Sequence, residues 1–270
     1  MSRIDEAFGK LRAAGKKAVV FYVMAGDPNL AATKNAVLKL AGQGITLCEI
    51  GIPFSDPVAD GPTIQMAAQR ALKSGTTIPR IWDMTAEIRR NAPDFPLVYL
   101  TYFNPLVSYG VEEFLGRSRE AGVDGLIIPD LPWEESLNYT ELFDKNGLAQ
   151  IHLLAPTTSD KRMAVIASKA RGFIYCVSLT GVTGARDWMP PELPEFITRV
   201  KKYAGAPVLV GFGVSTPEQA GKVIAAGADG VIVGSKIVEL LRINGGDPRQ
   251  LCEFAGRFLN LHEHNAGSWL

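Results

Sequence analysis

The chain is 270 residues long, 47% hydrophobic, and carries 28 acidic and 28 basic side chains, so its formal net charge is zero. With no clustered basic face it lacks the footprint of a nucleic-acid binder; no run of about 18 apolar residues is present to span a membrane, and the amphipathic, acid-containing N-terminus has no apolar signal-peptide core. Three widely spaced cysteines (Cys48, Cys176, Cys252) with no CxxC pair suggest neither a zinc site nor a disulfide framework, and point to a reducing, cytoplasmic compartment.

Helix and strand patterns alternate along the chain. A helix over 2–14, with Ile4, Ala7, Phe8 and Leu11 on one face, precedes a first strand over 18–24. The turn Ala25-Gly26-Asp27-Pro28 leads to a helix over 30–41. The second strand starts at Gly44 and carries Glu49 near its end. Helices follow over 63–73 and 78–90, then a third strand over 96–100, the segment Thr101-Tyr102-Phe103-Asn104-Pro105, and a helix over 111–120. The fourth strand, 125–128, ends at Pro129-Asp130-Leu131-Pro132, and a helix starts near Trp133. After the fifth strand, 150–154, Ser159 or Asp160 caps a helix reaching 170, and 173–177 is the sixth strand. Residues 178–189 have no periodicity; Pro190 then starts a helix to about 203. Strands seven and eight cover 208–210 and 230–233, and a last helix 248–262.

The strands are near-continuous apolar runs, the pattern of parallel strands covered on both faces. Eight strand-then-helix units with short connections predict an α/β fold: one (β/α)8 TIM barrel domain over residues 1–270, with an extra N-terminal helix. Ala-Gly-Val-Asp-Gly at 121–125 and Ala-Gly-Ala-Asp-Gly at 226–230 read as shared strand-start grammar, not a functional repeat.

Chemistry concentrates after the second strand. Glu49 is an acid in an apolar strand, and the following loop holds Asp56 and Asp60 between Pro53, Pro57 and Pro62, which stiffen it. Catalytic residues of barrels sit at the strands' C-terminal ends, and a carboxylate is costly to bury without a purpose; the alternative is a paired structural carboxylate. Gly211-Phe212-Gly213 after strand seven and Gly234-Ser235 after strand eight have the placement of a barrel phosphate site, where glycine lets backbone N–H groups approach the anion. Ser235 would add a hydroxyl and cap a short helix over 236–241. Residues 181–184, hinged by Gly181 and Gly184, would contribute as a lid. Plain tight turns are the alternative. Tyr22, Leu100, Ile127, Tyr175 and Phe212 lie at or near strand ends as candidate pocket walls or as ordinary barrel core. His152, His262 and His264 have no metal-ligand spacing, and no metal is expected.

Glu49-Ile50-Gly51-Ile52-Pro53-Phe54-Ser55-Asp56-Pro57, with Asp60-Gly61-Pro62 behind it, resembles the signature of the tryptophan synthase alpha subunit family. Tyr102-Phe103-Asn104-Pro105, Pro129-Asp130-Leu131-Pro132, Gly181-Val182-Thr183-Gly184 and Gly211-Phe212-Gly213 resemble its other motifs in the same order. The resemblance implies retro-aldol cleavage of indole-3-glycerol phosphate to indole and D-glyceraldehyde 3-phosphate. It implies an α2β2 heterotetramer whose beta subunit joins indole to serine with pyridoxal phosphate, and no cofactor on this chain. It makes Glu49 the acid–base residue and Asp60 the carboxylate facing the indole N–H, with Tyr22, where the family often has Phe, in the pocket wall. Thr183 and Gly184 belong to the lid; Gly184, Gly211, Gly213, Gly234 and Ser235 are the candidate phosphate contacts. Two other readings stay open at this point: another phosphosugar barrel enzyme, or a chiefly regulatory binding subunit.

Overall fold

The computed structural model describes residues 2–177, 190–211 and 213–259. In chain order the elements are α1 (Arg3–Ala13), β1 (Ala18–Met24), α2 (Leu30–Gln43), β2 (Leu47–Gly51), α3 (Pro62–Lys73), α4 (Ile78–Asn91), β3 (Leu97–Leu100), α5 (Phe103–Tyr109) and α6 (Val111–Glu120). Then come β4 (Gly125–Ile127), α7 (Trp133–Ser136), a 3-10 turn (Leu137–Tyr139), α8 (Thr140–Lys145), β5 (Ala149–Leu154), α9 (Asp160–Lys169) and β6 (Ile174–Cys176). The last are α10 (Leu193–Lys201), β7 (Val208–Val210), α11 (Pro217–Ala225), β8 (Gly230–Val233), α12 (Ser235–Ile243) and α13 (Arg249–Leu259).

The strands close a barrel in sequence order, β1 to β8 and back to β1, every pair parallel. Successive side chains alternate in direction. Val20, Leu47, Val98, Ile127, Ile151 and Leu209 fill the interior, while Phe21, Cys48, Leu97, Leu126, Leu154 and Val210 pack outward on the helices. That two-sided burial is why the strands read as unbroken apolar runs. Helix α1 closes the bottom: Ile4 and Phe8 join the inner cluster, and the Phe8 and Phe173 rings lie 6.0 Å apart. Arg3 anchors it through Asp124 at 2.8 Å.

The recurrent Ala-Gly-x-Asp-Gly motif has a physical cause. The carboxylate of Asp124 accepts the N–H of Leu97 at 2.9 Å, and that of Asp229 accepts the N–H of Val208 at 2.8 Å. Each acid thus satisfies the first donor of the neighbouring strand. The glycine after it lets two strands close up, since a Cβ on Gly230 would lie 2.4 Å from the Ala18 carbonyl oxygen.

One strand differs from expectation and two helices are additional. Strand β2 starts at Leu47 and runs through Gly51, so Glu49 is at its centre; Gly44 instead ends α2 with φ 88°. The segment after β3, to which the sequence assigned no element, is helix α5. Pro105 is tolerated there because first-turn N–H groups have no intrahelical acceptor. Helix α11 has no counterpart in the sequence reading, although Thr216 and Gln219 form a capping box with Pro217 at the first turn. Expectations for residues 178–189 and beyond 259 lie outside the described residues.

Candidate active site

The site is at the C-terminal end of the barrel. Glu49 points inward from β2, with Tyr22 of β1 and Val98 of β3 beside it in register. It is fully buried, and neither carboxyl oxygen has a hydrogen-bond partner among the described residues. Burial alone pushes its pKa up to about 8, because the charged form has lost water and gained nothing in return. A structural carboxylate would be paired; this one is available for chemistry.

Asp60 ends the proline-rich loop, just before Gly61 caps α3. It is half-buried, and burial pushes its pKa up to about 6, opposed by a hydrogen bond from the Tyr102 hydroxyl. Tyr22 and Tyr175 are each within electrostatic reach of both acids: burial raises both phenols well above their ordinary value, and the charges of Asp60 and Glu49 raise them further. Two glycines make room for these rings. A Cβ on Gly51 would stand 1.9 Å from the Tyr22 hydroxyl, and one on Gly211 2.4 Å from that of Tyr175. Leu100 and Ile64 add apolar wall beside Tyr22, and Ile127 lies deeper in the interior cluster.

On the β7–β8 side, Gly213 has φ 61°, and Gly234 is the cap of α12 with no side-chain hydrogen bond. Ser235 is the first helical residue rather than the cap. The Ile237 amide of α12 donates to the Gly234 carbonyl at 2.9 Å, while those of Ser235 and Lys236 precede any intrahelical acceptor, and the helix dipole adds partial positive charge. A Cβ on Gly234 would be 3.7 Å from that of Tyr22, so the anion-suited end and the aromatic end share one wall. The N–H of Gly211 donates to the Cys176 carbonyl at 3.0 Å. The Gly211 amide is thus already used, and what its missing side chain provides is room for Tyr175.

Two acids, an aromatic slot and an anion-suited rim are placed in one barrel mouth. Residues 8–262 match the family model described as "Tryptophan synthase alpha chain". A Thermoanaerobacter protein of that name is 47% identical over 239 residues, covering 88% of this chain and 90% of its own. The crystal structure of tryptophan synthase subunit alpha from Legionella pneumophila superposes with a TM-score of 0.89 at 36% identity, covering 97% of this chain and 99% of that one. A tryptophan synthase structure from M. tuberculosis, in an aminoacrylate-bound form, gives 0.85 at 32% identity over 97% and 99%.

This chain belongs to the tryptophan synthase alpha chain family. It is a carbon–carbon lyase of tryptophan biosynthesis, the subunit that generates indole by cleaving indole-3-glycerol phosphate. No described group of three or more His, Cys, Asp or Glu side chains could hold a metal ion, and no described helix is long and apolar enough to cross a membrane.

Of the candidate residues, Tyr22, Glu49, Asp60, Leu100, Tyr175, Gly211, Gly213, Gly234 and Ser235 are at or near the C-terminal ends of the strands, and Ile127 lies deeper in the barrel. Thr183, Gly184 and Phe212 lie outside the described residues. The sequence reading gave no role to Gly51, Ile64 or Tyr102. Tyr102 stands two residues past the end of the third strand, which was a usable signal; Ile64 reaches the pocket only because α3 folds over the barrel mouth.

Proposed function

We propose that Glu49 is the acid–base residue of the cleavage and Asp60 its charge-stabilising carboxylate. The observation that carries this is a pair of carboxyl groups in one pocket whose pKa values are pushed apart, to about 8 and about 6. Near pH 7 Glu49 holds its proton and Asp60 has largely lost its own. Glu49 donates that proton to C3 of the indole ring, which leaves positive charge on the ring nitrogen; Asp60 faces the N–H and stabilises it. Glu49, now a carboxylate, takes the proton of the glycerol hydroxyl next to the breaking bond. As the carbon–carbon bond opens, its electron pair flows into the cationic ring. Indole and glyceraldehyde 3-phosphate leave, and Glu49 is protonated again. The protonated ring is itself the electron sink.

Tyr22, Leu100, Ile127, Tyr175 and Phe212 hold the indole. Gly213, Gly234, Ser235 and the start of α12 receive the phosphate; Thr183 and Gly184 keep the roles that the family resemblance implies. Indole passes to a beta subunit that carries pyridoxal phosphate, in an α2β2 assembly. Its docking surface is the rim formed by Val58, Val107 and Leu137, which are 80%, 53% and 46% exposed and follow the neighbouring strands β2, β3 and β4. Three free cysteines, two of them buried, suit a reducing cytoplasm.

The test is the pH dependence of indole formation by the complex. Activity should need ionised Asp60 and protonated Glu49, giving a bell with limbs near 6 and 8. A profile flat from pH 5.5 to 8.5 would remove the assignment.

A further inference from the structure

Tyr102 sits where β3 hands over to α5, and it is 2% exposed. Its own place is fixed from behind: the next residue, Phe103, donates its N–H to the Asp130 carboxylate at 2.8 Å. Three contacts join it to the loop that carries Asp60. The hydroxyl oxygen accepts the Ala59 N–H at 3.1 Å. The hydroxyl also opposes the effect of burial on the Asp60 carboxyl, lowering its pKa. The ring lies against Phe54, with centroids 5.5 Å apart and planes at 33°.

One phenol oxygen therefore grips the backbone immediately before Asp60, and the same hydroxyl favours the charged form of the Asp60 carboxyl. The loop's other hydrogen bonds are of shorter reach. Val58 N–H donates to Asp56 and Asp60 N–H to Pro57 within the loop, at 2.9 and 3.1 Å, and Gln65 of α3 reaches the Asp60 carbonyl at 2.8 Å. These shape the turn; the hydroxyl of Tyr102 sets where the carboxylate sits relative to the barrel. Asp56 and Ser55 bond to each other instead.

We propose that Tyr102 is a positioning residue for the cleavage, acting through its hydroxyl to hold the Asp60 carboxylate facing the indole N–H. This rests on the reading of Asp60 given above. The other ionisable groups facing Asp60 are Tyr22 from β1, Tyr175 from β6 and, more remotely, Glu49 from β2. None of the described ones besides Tyr102 lowers the Asp60 pKa; burial raises it. A merely structural tyrosine would act through its ring, which Phe reproduces.

The experiment compares parent, Tyr102→Phe, Asp60→Asn and the double variant as complexes with the beta partner, following indole formation from indole-3-glycerol phosphate over pH 5–9, with thermal melting as the fold control. Hydrogen bonds to charged groups carry roughly 1.5–3 kcal/mol, so Tyr102→Phe should lower kcat by roughly 10–100-fold with KM little changed. The acid limb of kcat/KM should move to higher pH, because Asp60 loses the hydrogen bond that opposes its burial. In the Asp60→Asn background Tyr102→Phe should cost almost nothing more, since the group it acts through is gone. An unmoved acid limb, or the same loss in both backgrounds, overturns the inference while leaving Asp60 in place. Near-parent turnover by Asp60→Asn overturns the reading of Asp60 and this inference with it.

Discussion

Glu49→Gln should lower activity and raise stability, and the two effects have one physical origin. The carboxyl is fully buried without a hydrogen-bond partner among the described residues, and its pKa stands at about 8 against an ordinary 4.5. Below pH 4.5 it is protonated in both folded and unfolded chains and costs nothing. Between 4.5 and 8 the unfolded chain ionises it while the folded chain cannot, so this group makes stability fall as pH rises, until the folded carboxyl also ionises near 8. At pH 7 the difference spans about 2.5 pH units, which at ~1.4 kcal/mol per unit is a cost of about 3 kcal/mol. The amide of Gln has no charge to lose and nearly the same volume. Urea unfolding should therefore show the variant more stable than the parent by about 3 kcal/mol at pH 7 and equal to it near pH 4. In the same preparation, turnover of indole-3-glycerol phosphate should drop about 10²–10⁴-fold, because the amide transfers no proton. Equal stability at pH 7 would mean the carboxyl is solvated or paired in solution. Turnover within about threefold of the parent would refute its catalytic role.

Other predictions follow from the same geometry. Gly234→Val and Gly213→Val should weaken binding of inorganic phosphate or glyceraldehyde 3-phosphate by calorimetry roughly tenfold or more, since a side chain there keeps the anion from the backbone amides; unchanged affinity in both would put the anion elsewhere. Gly51→Ala should depress turnover with the fold retained, because its Cβ would overlap the Tyr22 hydroxyl 1.9 Å away and force the ring out of the pocket wall; parent-like kinetics would show that the ring is free to move. Phe8→Ala should cost about 3–5 kcal/mol in denaturant unfolding by emptying the base of the barrel. Val58→Asp should leave the lone chain's melting unchanged but weaken titration of the beta partner roughly tenfold or more, by placing an unpaired charge in the docking rim.

Much of this molecule is legible without coordinates. Strand β1 and strands β7 and β8 fall at their expected bounds because parallel barrel strands are buried on both faces, and that leaves an unambiguous apolar run between glycine and polar turn residues. Glu49 announces itself for the same reason, as a carboxylate in such a run, and the proline-flanked acids after it mark the neighbouring loop. Local signals failed where two patterns compete. Pro105 in a helix's first turn looks like a loop, and Gly44 at a helix end looks like a strand start.

Tertiary structure alone decided how the acids differ. Residue types give two carboxyl groups 11 positions apart with nearly equal ordinary pKa values. Closure of the barrel seals Glu49 without a partner, while the end of β3 presents a phenol hydroxyl to Asp60. One is pushed to about 8 and the other held near 6, which separates acid from anion at neutral pH. Likewise Gly211 reads from the sequence as an amide for phosphate, yet its N–H is used by the Cys176 carbonyl across the β6–β7 pairing, and its missing side chain is what admits Tyr175. Burial, and which neighbour satisfies which donor, depend on atoms distant in sequence; periodicity and turn chemistry carry only the local part.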